Sequence, residues 1–544
     1  MRKIQLSLLM VLVVSGIAKA QSLAGGQLHG SYEIDAQTYK PDSIIGAPKV
    51  PEKMDMNTYA QMDYTNGKIS AGLRYEAYDN AIQGYDPRYN GSGIAYRYLR
   101  FADSTIDVTI GNFYEQFGSG LILRSYWQYQ LGVDNSFDGA RVKYTLYKGI
   151  YIKGLIGHQR YFWGEGSGIV RGIDGEMNLN ELIPGWDSVK TKIIVGGSFV
   201  SKYQTVSNPL YNMPANVGAS AGRITINRGG FNLYSEYAYK INDPSVINSY
   251  IYKPGQAFLF RTGYSTKGFS ISGSAESIDN VDFKSDPTAT QNSLDINYLP
   301  TLPRDETYQL AQIYPYATQP TGEMGVDGEI RYTLPKASLL GGKYGTELDL
   351  EYSSIKALDT TTVNDLSTTR QEYSVNYFSF GKQVYFNNVT FELKHKFSTK
   401  FRMILQYDYL TYNKAIVQAE IGAPVVFGNI GVFDGYYRIS GSNTLHFEAQ
   451  ELYTMQDQGS WMFGLLEMNF GSNWFLGALD EYNYGNTVVA QQVHYYTLTG
   501  GYTHSALRIQ LGYGKTRAGI LCVGGVCREV PASDGFTLSI TNSF

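Results

Sequence analysis

The stretch Gly-Phe-Thr-Leu-Ser-Ile-Thr-Asn-Ser-Phe, residues 535–544, ends the chain. The apolar residues that fall on one face of this segment are Phe536, Leu538, Ile540 and Phe544. Small polar residues fall on the other face, and a β-strand is the structure that points successive side chains to opposite faces. Asn542 departs from the pattern, because an apolar residue is expected at that position. The segment is therefore predicted to be a strand with one apolar and one polar surface.

The same two-residue alternation recurs along most of the chain. In residues 28–38, for example, the apolar Tyr32 and Ile34 alternate with the acidic Glu33 and Asp35. Aromatic residues make up 14% of the chain, with 47 Tyr, whereas charged residues make up only 17%. Tyrosine suits a boundary between apolar and aqueous surroundings, because its ring is apolar and its hydroxyl is polar. The composition indicates strands that have one face on lipid and one on water.

Connections between the predicted strands alternate between short and long. Short turns are predicted at residues 66–67, 228–230, 266–268, 398–400, 441–443 and 471–473. Longer connections are predicted at residues 39–55, 79–92, 202–217, 242–255, 279–323, 356–383 and 412–432. Short turns at one end and long loops at the other are typical of outer-membrane barrels. We therefore predict an all-β protein, a transmembrane antiparallel up-and-down β-barrel of about 24 strands, within a range of roughly 18–26 and with an even count.

Residues 1–20 are predicted to be a signal peptide. Two basic residues precede a short apolar stretch, and Ala18 and Ala20 frame a small-x-small cleavage site. An uncleaved anchor helix is disfavoured, because the apolar stretch is too short to span a membrane. No shift in composition divides the rest, so we predict a single barrel domain over residues 21–544. The net charge of −4 and the lack of a basic stripe argue against nucleic-acid binding.

The alternation places many charged side chains on the inner face of the predicted barrel. The candidates for lining the lumen are Arg74, Glu76, Arg223, Glu236, Arg261, Glu329, Arg331, Glu347, Asp349, Glu351, Glu392, Lys394 and Arg402. In a water-filled lumen such charges set solute preference, and in a plugged lumen they pair with one another or with the plug. For any single residue, a solvated barrel wall is the simpler interpretation. Only the row Glu347, Asp349 and Glu351 has one sign, and a neighbouring strand can neutralise it.

Two long connections, residues 114–136 and 297–320, are too apolar for ordinary surface loops. Their candidate constriction or docking residues are Tyr114, Phe117, Trp127, Tyr298, Pro300, Tyr308 and Tyr314. Such connections either fold inward and narrow the lumen, or pack over the rim or against a partner protein. The sequence leaves both alternatives open. Residues 305–314 are predicted to form a short helix.

The two cysteines, Cys522 and Cys527, are predicted to form a disulfide. Gly524 and Gly525 between them suit a two-residue hairpin turn, which places the cysteines opposite each other at a non-hydrogen-bonded pair. The Cα atoms of such a pair are close enough for a disulfide, and an exported location permits oxidation. We expect the disulfide to stiffen the tip of the last external loop. A redox-active or metal-binding pair is disfavoured, because no His or further Cys lies nearby in the sequence.

No catalytic motif is recognisable in the sequence. None of the six histidines lies in a His-x-x-x-His pair, and there is no Gly-x-Ser-x-Gly elbow. We predict no enzyme activity and no metal or cofactor, and no plug domain is expected before the first strand. The leading hypothesis is a pore or passive transporter for polar solutes with lumen-constricting connections. The alternative is an accessory barrel subunit of an envelope secretion or outer-membrane biogenesis complex.

Two sequence segments carry a family resemblance. Residues 111–120, Gly-Asn-Phe-Tyr-Glu-Gln-Phe-Gly-Ser-Gly, and residues 522–528, Cys-Val-Gly-Gly-Val-Cys-Arg, resemble an uncharacterised family of large Bacteroidota outer-membrane β-barrel proteins. The resemblance covers the whole mature chain and implies a location in the cell outer membrane. The C-terminal strand resembles the last strand of bacterial outer-membrane barrels, where it is the assembly signal that the insertion machinery reads. The implied partners are outer-membrane lipid, the barrel insertion machinery and other envelope proteins.

Overall fold

The computed structural model describes residues 21–23, 25–363 and 370–544. The predicted signal peptide, residues 1–20, lies outside the described residues. No helix among the described residues is long and apolar enough to cross a membrane.

Strands account for most of the described chain. They are β1 (Gln21–Leu23), β2 (Gly26–Thr38), β3 (Met54–Asn66), β4 (Ile69–Asp79), β5 (Gly91–Ala102), β6 (Ile106–Phe113), β7 (Trp127–Gln128), β8 (Val133–Asp134), β9 (Phe137–Tyr147), β10 (Ile150–Tyr161), β11 (Gly164–Asn178), β12 (Thr191–Tyr203), β13 (Asn216–Arg228), β14 (Phe231–Lys240), β15 (Gly255–Thr266), β16 (Phe269–Asp279), β17 (Gly322–Leu334), β18 (Thr346–Thr362), β19 (Tyr373–Lys396), β20 (Phe401–Asn413), β21 (Val425–Ser440), β22 (Asn443–Tyr453), β23 (Trp461–Phe470), β24 (Trp474–Tyr482), β25 (His494–His504), β26 (Leu507–Thr516), β27 (Gly519–Val523), β28 (Val526–Val530) and β29 (Ser533–Ser543). The short helices are α1 (Leu179–Leu182) and α2 (Lys414–Val417), and the 3-10 turns are Pro87–Tyr89, Tyr129–Leu131, Trp186–Ser188, Ala311–Ile313 and Val489–Gln491.

These strands build a closed antiparallel barrel of 24 strands, which confirms the predicted fold class. Each barrel strand pairs with the next one along the chain, except that β6 pairs with β9 and β26 pairs with β29. The barrel closes where β29 pairs with β2, from Ser31 opposite Ser543 to Gln37 opposite Thr537. The strand β1 also pairs with β2, whereas β7–β8 and β27–β28 form two small separate hairpins.

The barrel wall has an apolar outer face and a polar inner face. On β20, Leu405, Tyr407 and Tyr409 are exposed, whereas Gln406 and Asp408 between them are buried. Gln406 and Asp408 lie on the inner face, because both interact with Glu306 of the connection 297–320, which enters the lumen. A strand alternates its side chains in this way whenever its two sides meet different surroundings.

The turns at one end of the barrel are mostly tight. The turn predicted at Asn66-Gly67 lies one residue further along the chain, because Asn66 still pairs with Ile69 and the turn residues are Gly67 and Lys68. Gly67 adopts a positive φ of 56° there, a conformation that glycine adopts at little cost. The same end also holds two longer connections, residues 179–190 and 335–345. At the opposite end, β18 and β19 extend into residues that the sequence assigns to a long loop, 356–383. Their pairing shifts register between Ile355 and Asp359.

Candidate functional site

Segment 114–136 lies inside the barrel. Phe117 is fully buried against the wall at Gly172, where an added Cβ would come within 2.8 Å of the phenyl ring. The backbone N–H and the hydroxyl of Ser119 both donate to Glu236 Oε2, at 2.9 and 2.5 Å. Glu236 belongs to the inner face of β14 and lies opposite Arg223 of β13 in the register of the two strands. The segment is therefore anchored to the wall from within.

One network of four buried ionic groups joins this segment to the wall. Glu76 Oε1 lies 2.7 Å from Arg74 Nε, and Glu76 Oε2 lies 2.8 Å from Arg160 Nη2. Asp134, from β8, pairs with both Arg74 and Arg160, and Tyr114 donates to it at 3.0 Å. Burial raises the pKa of the Asp134 carboxyl, but Arg160 and Arg74 outweigh that effect, and the net pKa is lowered. Two positive charges thus balance two negative charges in the network.

Residues 297–320, called the strap below, cross the lumen. At one end, the backbone N–H of Tyr298 donates to Gly120 O of segment 114–136 at 3.0 Å. Further on, the backbone N–H of Leu310 donates to Gln450 Oε1 of β22 at 2.9 Å. Tyr308 OH donates to Asp434 of β21 at 3.3 Å. The strap therefore spans from the inner segment to the wall at β21–β22.

The helix predicted for residues 305–314 is wrong. Only the 3-10 turn Ala311–Ile313 forms there. The physical reason is that the backbone N–H of Leu310 bonds to a wall side chain rather than to a carbonyl within the strap. Leu310 is fully buried among inward apolar side chains of the wall, including Ile430, Leu452 and Trp461. Contacts with the wall therefore decide the strap's conformation.

Carboxylates surround the strap at its midpoint. Arg304 Nε lies 3.5 Å from Glu351 Oε2 and 3.9 Å from Glu306 Oε2. Asn388 Nδ2 donates to Glu306 Oε1 at 3.4 Å. Burial and then the neighbouring charge of Asp408 raise the pKa of Glu306 to about 8. One arginine thus faces several acidic groups in this half of the lumen.

The disulfide between Cys522 and Cys527 is present, with Cα atoms 4.1 Å apart. The hairpin β27–β28 is the tip of the connection between β26 and β29, and this tip contacts the strap. Tyr298 OH of the strap donates to Gly524 O, and the backbone N–H of Gly524 donates to Asp305 at 3.2 Å. The hairpin folds back onto the strap because these polar groups satisfy its turn. It therefore fastens the strap rather than projecting outward.

The structure places the predicted lumen residues in two groups. Those that are buried are Arg74, Glu76, Arg223, Glu236, Asp349, Glu351 and Glu392. Those that are half-buried, or exposed in the case of Arg402, are Arg261, Glu329, Arg331, Glu347, Lys394 and Arg402. The acidic row on β18 is partly neutralised, since Arg331 pairs with Asp349 at 2.8 Å and Lys394 lies 3.6 Å from Glu347.

The predicted constriction residues belong to the two lumen segments. Trp127 packs on the guanidinium of Arg74, with 3.9 Å between the ring centroid and the Cζ atom. Pro300 O accepts from the hydroxyl of Thr318 at 3.3 Å, and Tyr314 OH donates to Asp457 at 3.1 Å.

In the predicted assembly strand, β29, Phe536 packs on Tyr513. Leu538 and Ile540 follow on the same strand and pack against apolar side chains of β2 and β3. The backbone N–H and C=O of Phe544 both form hydrogen bonds with the backbone of Gly30.

Several residues of the site were not identified from the sequence. Asp134 and Glu306 lie in connections, where no alternation shows which way a side chain points. Asp408 alternates with Tyr407 and Tyr409, so the alternation of polar and apolar residues could have predicted its inward position.

Three possible metal ligands come together on β21 and β22. They are Asp434, His446 and Glu448, with ligand atoms within 4.8 Å of one another.

A protein-family model matches residues 1–544. The chain belongs to DUF6029, described as a family of unknown function. A search of curated proteins found no match. Among solved structures, the fold is similar to the P pilus usher (PapC) translocation pore, at 10% identity and a TM-score of 0.42, covering 95% of this chain and 99% of that chain.

Two further solved barrels are similar to this DUF6029 protein. One is the ferric enterobactin receptor (PfeA) of Pseudomonas aeruginosa, at 11% identity and a TM-score of 0.43, covering 95% of this chain and 80% of that chain. The other is OccD1 (OprD), at 10% identity and a TM-score of 0.36, covering 97% of each chain. At these identities the similarity concerns the fold alone. The assignment of the family to Bacteroidota stays a prediction.

Proposed function

We propose that this DUF6029 protein is an outer-membrane β-barrel that gives small polar solutes a constricted pathway through the membrane. The observation that carries the proposal is the contrast between the two faces of a closed barrel. Large apolar side chains such as Leu99, Ile156 and Leu476 are exposed on the outer face. An apolar surface of this extent is unfavourable in water and favourable against lipid.

The interior supports the constricted pathway. A barrel of more than about 16 strands encloses a lumen wide enough for water unless other segments fill it. Segment 114–136, the strap and the disulfide hairpin occupy this lumen, and charged side chains line the wall beside them. A polar solute then passes along charged groups and is limited in size by the strap. No catalytic step is part of the proposal.

The C-terminal strand supports insertion into the outer membrane. The strand β29 closes the barrel against β2, and its outward side chains Phe536, Leu538 and Ile540 continue the apolar face. We infer that the barrel insertion machinery reads this strand, as it reads similar terminal strands in other barrels.

Liposome swelling tests the pathway. Purified protein is refolded into liposomes, which are then transferred to isotonic solutions of polar solutes of increasing size. The proposal expects the smallest solutes to cause swelling and larger ones to be excluded. Absence of swelling with every solute, in vesicles that contain folded protein, would refute it.

One observation favours the second candidate function, an accessory subunit of an envelope complex. Leu339 and Leu340 are 99% and 70% exposed in the long connection 335–345, at the end of the barrel that otherwise has tight turns. Two adjacent exposed leucines are typical of a contact surface. Affinity purification from native membranes tests it, and recovery of the chain without stoichiometric partners would count against it.

A further inference from the structure

The connection 335–345, called the rim loop below, folds back over the outer face of the barrel wall. It joins β17 to β18 at the end where the other turns are mostly tight. Thr346 begins β18 and points to the same face as Leu350, which is 47% exposed. Thr346 itself is only 3% exposed, and its hydroxyl donates to Leu340 O of the rim loop at 2.6 Å. The rim loop therefore covers an outward-facing part of the wall.

Aromatic rings on the outer face mark the level at which the rim loop lies. His395 of β19 lies opposite Thr346, and a Cβ added to Gly342 of the rim loop would come within 3.1 Å of the imidazole ring. The ring of Phe397 lies 4.4 Å from the ring of His395 and stacks on Phe401, with 5.3 Å between centroids. Aromatic side chains concentrate at the membrane–water interfaces of outer-membrane barrels. The rim loop therefore lies at the interface level of the lipid-facing wall.

The rim loop presents apolar and basic side chains together. Leu339 and Leu340 are the strongly exposed apolar residues described above. Lys336 and Lys343 flank them and are also exposed, and the rim loop contains no acidic residue. Lys396 of β19 adds a third exposed amine, with its Nζ 4.9 Å from the ring centre of the rim-loop tyrosine. Exposed leucines beside basic side chains suit a membrane surface whose headgroups are anionic.

We propose that the rim loop binds anionic phospholipid in the periplasmic leaflet of the outer membrane. Leu339 and Leu340 enter the acyl region, and the three lysines pair with lipid phosphates. The leaflet follows from the tight turns at this end, which lie on the periplasmic side of such barrels. The inference rests on the proposed membrane location, but it requires no solute to pass. A protein partner could also cover the two leucines, but the position of the rim loop over the lipid-facing wall favours lipid.

Native mass spectrometry of the refolded full chain tests the preference for anionic lipid. Phosphatidylglycerol, or phosphatidylethanolamine as the zwitterionic reference, is titrated into the detergent-solubilised protein, and the bound lipids are counted. The key variant is the double substitution Lys336→Gln and Lys343→Gln. The matched control is Lys190→Gln with Arg228→Gln, which removes two exposed basic charges at the same end of the barrel but on other strands. We expect the key variant to lose about tenfold in affinity for phosphatidylglycerol, since each lysine near an anionic surface contributes several-fold. The control is expected to bind as the unaltered protein does.

Fluorescence quenching tests the insertion of the leucines. The full chain carrying Leu340→Trp is refolded into vesicles of equal parts phosphatidylglycerol and phosphatidylethanolamine whose acyl chains carry bromine, which quenches tryptophan on contact. The matched control is Leu210→Trp, at a leucine that is 78% exposed in the long connection 204–215 at the opposite end of the barrel. The signal of the native tryptophans is subtracted with the unaltered protein. We expect the tryptophan added at position 340 to lose its fluorescence in the brominated vesicles and the one added at position 210 to keep it.

Two results would overturn the proposal. One is equal affinity for phosphatidylglycerol in the two double variants. The other is unquenched fluorescence at position 340, which would leave the leucines to a protein partner. If Leu340→Trp does not fold, Leu339→Trp replaces it at the more exposed neighbour, and the same outcomes apply. Because both readouts concern lipid contact and not solute passage, failure here leaves the transport proposal standing.

Discussion

One contact between segment 114–136 and the barrel wall is a buried network of two arginines and two carboxylates that balance, whereas the strap meets the wall through tyrosine hydroxyls, apolar side chains and carboxylates in excess. Arg74, Arg160, Glu76 and Asp134 satisfy one another and are almost fully buried. Beside the strap, Tyr308 and Tyr314 donate to Asp434 and Asp457, and Arg304 faces several acids. The two regions lie in the same lumen and differ in how their charge is compensated.

This difference assigns the two regions different parts in the molecule. A balanced, buried ion network is costly to break, because removal of one member leaves another charge without a partner. A region with excess carboxylates takes up protons more readily, and burial and then the charge of Asp408 raise the pKa of Glu306 to about 8. Segment 114–136 is therefore the fixed part of the lumen filling. The strap is the part whose contacts with the wall include a carboxyl that titrates near neutral pH.

The largest expected effect comes from Asp134→Ala, which breaks the balanced network. It leaves Arg74 and Arg160 with Glu76 as their shared carboxylate, and we expect a loss of about 3–5 kcal/mol in the free energy of unfolding. Urea unfolding of the refolded protein measures this loss. The control is Asp187→Ala, which removes an exposed ion pair with Lys148 and should cost at most about 1 kcal/mol. Equal losses in the two variants would contradict the account of the network.

The next effect tests the apolar anchoring of the strap. Leu310→Ala removes a fully buried side chain and is expected to cost about 3 kcal/mol in the free energy of unfolding, from lost burial and the cavity left behind. The same unfolding measurement applies. The control is Leu339→Ala, at an almost completely exposed leucine, which should change stability by less than about 0.5 kcal/mol. Equal free energies of unfolding in the two variants would mean that the burial of Leu310 does not anchor the strap.

A smaller effect is expected from the double substitution Cys522→Ser and Cys527→Ser. The disulfide closes a short loop, and its loss should cost about 2 kcal/mol through the greater freedom of the unfolded chain. Because the hairpin contacts Tyr298 and Asp305, we also expect protease cleavage within the strap to become faster. Limited proteolysis followed by mass spectrometry measures this. Unchanged cleavage of the strap would mean that the hairpin does not fasten it.

The smallest effect is expected from Tyr308→Phe, which removes one hydroxyl donor from the strap. Asp434 keeps His446 as a partner at 2.8 Å, so the carboxylate is not left alone. We expect a loss of about 1 kcal/mol in the free energy of unfolding, the usual net contribution of one hydrogen bond. A loss as large as that of Asp134→Ala would remove the distinction between the two regions.

The barrel could be predicted from the sequence because its determinants are local. On β20, each residue faces the side that its polarity indicates, so alternation alone separates Tyr407 from Asp408. The tight turn after Asn66 likewise follows from the conformational freedom of Gly67, although it lies one residue further along than predicted. The disulfide at Cys522 and Cys527 also follows from spacing in the sequence.

The filling of the lumen could not be predicted in the same way. The bond from Tyr308 to Asp434 joins residues 126 positions apart, and nothing in either local sequence specifies the partner. The 3-10 turn at Ala311–Ile313 replaces a predicted helix because Gln450 takes the N–H of Leu310. The hairpin of Cys522 and Cys527 folds onto the strap for a similar reason. Tertiary contacts, which the local sequence does not specify, decide all of these features.

Single-channel conductance in planar bilayers tests the central claim most directly, namely that the strap constricts the lumen. The intact protein is compared with a variant in which residues 297–320 are replaced by a short Gly-Ser linker, after both are shown to be folded in detergent. The account predicts a small but measurable current through the intact protein and a much larger, steady conductance through the variant. Equal conductance in the two proteins would contradict it.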